Sequence, residues 1–256
     1  VAAERAFHGR TLGALGATYK SAYREPFRPL REAAFVPYND VEALKSAATS
    51  DTGAVILEPV QGEAGVYVAD PEFLRAAREI CDDRDALLIF DEVQTGFGRT
   101  GEWFGKDHFR VMPDIMTLAK AMAGGLPIGA MLAAGDAAEA LTKGDHGSTF
   151  AGGPLICAAA LAVIDVIREE KLVARSRENG AYLKRELAKL MPREVRGLGL
   201  MVGIDLDADC KSLVEKALAG GVLINSTGEH TLRLIPPLVV DKKEIDQVVN
   251  VIGQSL

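Results

Sequence analysis

Cysteine is scarce in this sequence of 256 residues, which has only Cys81, Cys157 and Cys210. The three cysteines are far apart in the sequence, and no two of them form a C-x-x-C pair. An odd number of scattered thiols argues against a disulfide framework and is typical of a protein in a reducing compartment. We therefore expect a cytoplasmic protein.

The sequence also lacks the patterns of three other classes of protein. Its four histidines are scattered, without an H-E-x-x-H motif or a His/Cys cluster, so we expect no metal site. No apolar run reaches the roughly 20 residues of a membrane span. The net charge of −7 argues against a surface that binds nucleic acid.

An initiator methionine is absent as well. The first residues, VAAERAFHGRT, begin as if in the middle of a pattern. We expect the chain to be a part of a longer protein that is truncated at its N-terminus.

Short apolar runs alternate with helical patterns in the first half of the chain. The runs are mostly hydrophobic rather than alternating, which is typical of strands covered on both faces. They are GAVILEPV (53–60), ALLIFDEV (86–93), PDIMTLA (113–119) and PIGAMLAA (127–134). A helical pattern from Asp70 separates the first two runs, and Asp70 is its expected N-cap. This rhythm predicts an α/β fold, a mainly parallel sheet flanked by helices.

The pattern changes after residue 153. Two helices are expected over residues 154–170 and 172–190, followed by short strands, a helix near 209–219 and a last helix from Asp241. The letters DKKE (241–244) predict a capping box for that last helix. We expect a large domain over residues 1–167 and a smaller C-terminal α/β domain over residues 168–256.

Two glycine-rich stretches could be read as nucleotide-binding motifs. GFGRTG (96–101) matches a dinucleotide-binding motif, but no clear helix follows it, and we expect a turn. GLGLMVG (197–203) lies in a strand pattern, where its glycines predict close backbone packing or a bulge. No G-x-S-x-G motif supports a serine hydrolase.

Two charged residues follow apolar runs. Asp91 closes the run ALLIFDEV, and Lys120 follows PDIMTLA among Ala, Met and Gly residues. A structural ion pair is one explanation. The other is that each residue contacts a different atom of one ligand at the carboxyl ends of the strands. Pyridoxal phosphate requires a partly buried lysine for its aldehyde and an acidic residue for its pyridine nitrogen.

Further residues are compatible with such a ligand, although each also has an ordinary structural explanation. Gln94 could bond the ring hydroxyl, and Phe7 could stack on the ring or belong to the core. Ser148 and Thr149 offer hydroxyl groups for a phosphate or carboxylate. Arg10 and Arg233 could bind substrate carboxylates or could be solvated surface charges.

Seven stretches together resemble the class III family of fold-type I aminotransferases. They cover almost the whole chain in the family's order: FHGRTLGAL, LEPVQGEAGV, LLIFDEVQTGFGRTG, PDIMTLAKAMAGGLPIGA, HGSTFAGGPLICAAA, RGLGLMVGIDL and LRLIPPLVV. Family members carry further residues before FHGR, including a phosphate-binding loop at a helix N-terminus.

The resemblance implies a role for each candidate residue. Lys120 would form a Schiff base with the cofactor, and Asp91 would keep the pyridine nitrogen of the cofactor protonated. The other cofactor-binding positions implied are Phe7, Glu58, Val93, Gln94 and Thr149. The substrate-binding positions implied are Arg10, Ser148, Arg233 and Glu63. Glu63 matches a position that pairs with Arg233 and releases it between half-reactions.

The reaction implied moves the terminal amino group of N-acetylornithine to 2-oxoglutarate, giving N-acetylglutamate 5-semialdehyde and glutamate in arginine biosynthesis. A related transamination of ornithine, succinylornithine, succinyldiaminopimelate or 4-aminobutyrate stays open, as does a catalytically silent fragment. The family assembles its active sites across a dimer, so we expect a homodimer. Thr149 would reach the phosphate bound by the neighbouring subunit.

Overall fold

A computed structural model describes residues 1–256. The chain forms two compact units. Unit 1 comprises residues 1–61, 69–96 and 105–165, and unit 2 comprises residues 62–68, 97–104 and 166–256. The predicted domain boundary between residues 167 and 168 falls inside a helix, Pro154–Glu169. The two short segments of unit 2, at 62–68 and 97–104, have no counterpart in that prediction.

The twelve strands are short, with two to five residues each. In chain order they are β1 (Ala2–Ala3), β2 (Phe35–Val36), β3 (Ala54–Leu57), β4 (Val60–Gln61), β5 (Tyr67–Val68), β6 (Leu87–Asp91), β7 (Ile115–Leu118), β8 (Ala130–Ala133), β9 (Glu194–Leu198), β10 (Met201–Asp205), β11 (Asn225–Ser226) and β12 (Thr231–Leu234).

The helices are concentrated where the sequence has a helical period. In chain order they are α1 (Leu12–Ala17), α2 (Ser21–Arg24), α3 (Val41–Ala47), α4 (Pro71–Arg84), α5 (Asp136–Glu139), α6 (Pro154–Glu169), α7 (Leu172–Ala188), α8 (Cys210–Ala219) and α9 (Lys242–Ser255). Short 3-10 helices cover Glu25–Phe27, Gly105–His108 and Lys120–Ala123. None of the helices is both long and apolar enough to cross a membrane.

Unit 1 contains a six-stranded sheet in the order β2-β1-β3-β6-β7-β8. Each predicted apolar run contains one of the strands β3, β6, β7 and β8. The pairs from β2 to β7 are parallel, and β8 runs antiparallel to β7. The mainly parallel α/β sheet is therefore confirmed, with an antiparallel edge that hydrophobicity alone does not reveal.

Helix α4 shows how this sheet is covered. Pro71 occupies its first turn, where the missing N–H costs nothing, and Phe73, Leu74, Ala77 and Cys81 are buried on one face. Asp70 lies at the N-cap, as predicted, but its side chain makes no capping hydrogen bond. The helix ends at Arg84, and its C-cap residue Asp85 adopts a left-handed conformation (φ 54°) that returns the chain into β6.

Unit 2 is built on a four-stranded antiparallel sheet in the order β11-β12-β10-β9. One face of the sheet supplies Val202, Ile204, Leu232 and Leu234 to a core that also contains residues of α7, α8 and α9. The predicted capping box of α9 is confirmed: Asp241 accepts from the Glu244 N–H, and the Glu244 side chain accepts from the Asp241 N–H.

Both glycine-rich stretches form turns. Residues 96–101 lie in turns, with Gly98 and Gly101 at positive φ, so the predicted turn is confirmed. GLGLMVG is a hairpin, in which Leu198 of β9 pairs with Met201 of β10. The turn brings backbones close: a Cβ on Gly180 of α7 would lie 1.9 Å from the Gly199 carbonyl oxygen.

Candidate active site

Asp91 is the last residue of β6 and lies at the carboxyl end of that strand. It follows four apolar residues, and it is opposite Thr117 in the register with β7. Only 6% of Asp91 is exposed. Because ligands of open α/β sheets bind outside the carboxyl ends of strands, the position of Asp91 favours a role in ligand binding.

Three donors hold the Asp91 carboxylate. His8 Nδ1 lies 2.8 Å from Oδ2, and Oδ1 accepts from Thr117 Oγ1 and the Val93 N–H, each at 3.1 Å. Since a carboxylate only accepts, His8 carries its proton on Nδ1 in this contact. The carboxylate is thereby fixed in orientation within a buried environment.

His8 is a site residue that sequence reasoning missed. Its side chain is 1% exposed, and its second nitrogen, Nε2, is buried without a hydrogen-bond partner. The available signal was its place beside Phe7 in AFHGRT, since a histidine in an apolar segment needs a polar partner. The sequence does not show that this partner is Asp91, 83 residues away.

Lys120 differs from its expected environment. Strand β7 ends at Leu118, and Lys120 is the first residue of a 3-10 helix and is exposed in the structure. The sequence predicts a partly buried amine here, and the role of Lys120 as the Schiff-base lysine stays a prediction. Its backbone has φ 45°, a conformation that costs a residue with a Cβ about 1–2 kcal/mol. Lys120 nevertheless follows the strand that pairs with β6.

The Glu58 side chain binds the backbone of Phe7. Glu58 is 3% exposed, and its Oε1 accepts from the Phe7 N–H at 3.0 Å. Its carbonyl oxygen accepts from the Tyr38 hydroxyl at 2.7 Å. Burial, followed by the nearby Glu58 and Asp70 charges, raises the Tyr38 pKa well above its ordinary value, so the phenol stays a donor. Glu58 thus fixes the segment that carries Phe7 and His8.

Arg10 is exposed, and its guanidinium carbon lies 3.9 Å from the centre of the Tyr23 ring. The same ring meets Phe7 edge to face, with ring centres 6.3 Å apart. Cation–π stacking of this kind orients a guanidinium while leaving its donors accessible. Tyr23 is a second residue that the motifs did not indicate.

The remaining predicted residues of unit 1 lie in two loops. Val93 and Gln94 follow β6 and are half-buried. Ser148 and Thr149 are exposed between α5 and α6, and Ser148 Oγ accepts from the Ala151 N–H at 3.3 Å within that loop. The roles predicted for Ser148 and Thr149 in binding substrate and phosphate stay predictions.

Glu92, next to Asp91, has a different environment. It is 1% exposed and accepts from the backbone N–H groups of Gly105 and Lys106, each at 2.7 Å, and from the Thr95 hydroxyl. Burial raises the pKa of Glu92, and these hydrogen bonds oppose that effect. The Glu92 carboxylate thus fixes the loop that follows β6. Asp91, in contrast, is bonded to His8, Thr117 and Val93.

In unit 2 the structure brings Arg233 and Glu63 together. Arg233 lies on β12, and its Nη1 is 2.7 Å from Glu63 Oε1. The arginine side chain is 11% exposed and the glutamate side chain 42% exposed. The pair is therefore accessible to a competing carboxylate from solution.

The chain belongs to the class III aminotransferases, since the family model described as aminotransferase class-III matches residues 1–256. The family resemblance drawn from the motifs is thereby confirmed. The chain is 55% identical to the acetylornithine aminotransferase of Methanosarcina acetivorans, an alignment covering 100% of this chain and 65% of that protein. It spans about 65% of the length of such curated relatives.

Solved structures agree with this assignment. The ornithine aminotransferase of Toxoplasma gondii ME49 has a TM-score of 0.93 at 34% identity, covering 99% of this chain and 63% of that one. A second Toxoplasma gondii structure has the same TM-score and identity, covers 99% of this chain and 62% of that one, and is described as having partial occupancy of PLP at its active site. These similarities confirm a fold-type I architecture.

Proposed function

We propose that this chain carries the catalytic residues of a transaminase that depends on pyridoxal phosphate. The observation that supports the proposal most directly is the buried Asp91 at the end of β6, whose carboxylate is oriented by three hydrogen-bond donors. It lies beside the strand that Lys120 follows. The family membership and the PLP of the Toxoplasma relative support the same cofactor.

The donor set fits this cofactor. Pyridoxal phosphate requires an acidic group at its pyridine nitrogen and a primary amine at its aldehyde. Asp91 at the end of β6 and Lys120, two residues after the neighbouring strand β7, would supply them. A buried carboxylate with a fixed orientation suits a pyridinium N–H better than a solvated one does. When bound, the cofactor supplies an electron sink for the bond that breaks at the substrate carbon.

The residues of this chain then have separate tasks. Asp91 would accept a hydrogen bond from the pyridinium N–H and keep that proton in place, and His8 orients Asp91. Lys120 Nζ would accept the proton from the substrate carbon and deliver it to the cofactor carbon, a role that requires a neutral amine. Val93, Gln94 and Phe7 would line the ring, Glu58 supports Phe7, and Thr149 would bind the phosphate.

The substrates proposed are N-acetylornithine and 2-oxoglutarate. Arg10 and Ser148 would bind the acylated amino acid, and Arg233 would bind the α-carboxylate of 2-oxoglutarate or glutamate. Glu63 would cover Arg233 while the other substrate reacts. The name of the Methanosarcina relative supports the acetylated substrate.

Ornithine is the second candidate substrate, favoured by the similarity to the Toxoplasma ornithine aminotransferase. Both substrates offer a terminal amine and an α-carboxylate, so the residues described do not separate them. Measuring kcat/KM for both amines, with 2-oxoglutarate as the acceptor, distinguishes the two candidates. The amine with the larger kcat/KM is the substrate.

We further propose a cytoplasmic homodimer. Leu126, Met131, Phe150, Leu155 and Leu161 of unit 1 are exposed, Phe150 to 83%, and exposed apolar side chains of this number favour an interface. The three cysteines are free, as a reducing compartment requires. A fully active monomer in sedimentation and activity measurements would contradict the dimer.

Borohydride labelling tests the cofactor proposal. The chain is incubated with pyridoxal phosphate and reduced, and the modified lysine is identified by peptide mass. We expect the label on Lys120 and its loss in Lys120→Arg, while the control Lys143→Arg keeps it. Label spread over surface lysines, or none, would refute a cofactor site at Lys120.

A further inference from the structure

Two arginines flank a glycine on one face of the sheet of unit 2. In the strand register, Gly203 of β10 is opposite both Arg196 of β9 and Arg233 of β12. Directly opposed residues of antiparallel strands point to the same face. Arg196 and Arg233 therefore lie on the same face, two strand spacings apart, or roughly 10 Å.

The segment 62–68 crosses this face through the gap at Gly203. A Cβ on Gly203 would lie 2.5 Å from the Gly65 carbonyl oxygen, so only glycine admits the segment here. Glu63 of the segment contacts Arg233, as described above. Gly65, two residues further on, accepts a hydrogen bond from Arg196 Nε at 2.9 Å.

Arg196 contacts the segment at a second point. Its guanidinium carbon lies 4.2 Å from the centre of the Tyr67 ring, within the range of cation–π stacking. The segment is thus held by Arg196 at Gly65 and Tyr67, immediately after the residue that pairs with Arg233.

Arg196 is itself rigidly held. It is 9% exposed and makes a two-point contact with Asp205, from Nη1 to Oδ2 at 2.7 Å and from Nη2 to Oδ1 at 2.9 Å. Its Nη1 also donates to Glu194 at 2.8 Å, and Thr231 donates to Asp205 at 2.7 Å. A guanidinium fixed in this fork is a preorganised anchor.

We infer that Arg196, fixed by Asp205, is a positioning residue that holds Glu63 at Arg233. It thereby sets how readily Arg233 binds a substrate carboxylate. Arg196 acts only through the segment 62–68. The inference rests on the carboxylate-binding role proposed for Arg233.

The physical reason is that the Glu63–Arg233 pair is partly solvated. Solvated ion pairs are weak when both side chains must be ordered. Anchoring the backbone two residues beyond Glu63 removes part of that ordering cost before the pair forms. Loosening the anchor should therefore release Arg233 to a competing carboxylate.

Calorimetric binding of glutarate tests the inference on the chain loaded with pyridoxal phosphate. Arg196→Lys keeps the charge but not the fork, and we expect it to bind glutarate about three- to tenfold more tightly, an effect at the lower end of the coupling between contacting residues. In a Glu63→Gln background the same change should have no effect, because Glu63 no longer competes. Arg193→Lys is the matched control, since Arg193 pairs with Asp207 and leaves segment 62–68 untouched.

Kinetics give a second readout. Arg196→Lys should lower KM for 2-oxoglutarate without lowering KM for the amine, a split that general loss of structure would not produce. If Arg196→Lys fails to fold, Asp205→Asn replaces it, since it also breaks the fork. An effect of the same size with and without Glu63→Gln, or none in either, would overturn the inference. Absence of transamination by the unaltered protein, with the binding effect intact, would instead overturn the proposed reaction.

Discussion

The two units hold their charged residues in different ways. In unit 1, Asp91 is 6% exposed and has three donors around it, at the end of a parallel strand. In unit 2, the Glu63–Arg233 pair lies over an antiparallel sheet, with 42% of the glutamate side chain exposed. A buried, satisfied group stays in one state, whereas a partly solvated pair can exchange partners. The difference suits a fixed role in the chemistry for Asp91 and a reversible role in binding for Arg233.

The largest expected effect tests the fixed role. Asp91→Asn should lower the turnover number of the proposed transamination roughly 100- to 1,000-fold, as loss of one preorganised electrostatic group does. Asp82→Asn on α4, where Asp82 pairs with Arg78, is the control and should leave turnover unchanged. Equal turnover in both variants would show that Asp91 has no such role.

The crossing of segment 62–68 over the four-stranded sheet, within unit 2, is tested by Gly203→Ala. The added Cβ would meet the Gly65 oxygen at 2.5 Å, so we expect a loss of about 3 kcal/mol in the free energy of unfolding, the upper range for overpacking. Urea denaturation measures this loss. Gly228→Ala meets nothing within 4 Å and should change stability little. A Gly203→Ala protein as stable as this control would refute the close approach.

Replacing His8 tests how much the hydrogen bond from His8 to Asp91 contributes to stability. His8→Leu leaves one buried carboxylate oxygen without its donor, which should cost about 2 kcal/mol of unfolding free energy. Denaturant unfolding of His146→Leu provides the comparison, because His146 is exposed and should tolerate the change. The idea fails if the two leucine variants are equally stable.

The smallest expected effect is the loss of the stabilisation by Asp205 at low pH. Burial alone would raise the pKa of Asp205, but hydrogen bonds from Arg196 and Thr231 outweigh it and lower the pKa below 3.8. Its stabilisation is therefore complete above pH 3.8 and is lost as the pH falls through the lower, folded-state pKa. Unfolding curves should show Asp205→Asn less stable than the unaltered chain at pH 6, with the difference shrinking below pH 4. A difference independent of pH would exclude this linkage.

Strands β3, β6, β7 and β8 could be predicted because buried parallel strands are continuous apolar runs. The capping box at Asp241 could be predicted because both of its residues are local. The direction of β8 and the short strand β11 carry no such local signal.

The residues of the candidate site also fall into those that the sequence predicts and those that it does not. Asp91 and Lys120 stand out because charge at the end of an apolar run is unusual, and the family motifs supply the other positions. His8 and Arg196 were missed because their partners are distant in sequence: Asp91 is 83 residues from His8, and Gly65 is 131 residues from Arg196. The exposure of Lys120 depends on where β7 stops, and strand ends are poorly defined by hydrophobicity.

The alignment of β12 against β10 also affects folding fidelity. Arg233 is flanked by Leu232 and Leu234, which lie in the core on the opposite face. A slip of one residue would place the guanidinium in that core and both leucines in water. The arginine thus penalises the misaligned chain heavily, and the residue proposed to bind substrate also helps to select the correct strand pairing during folding.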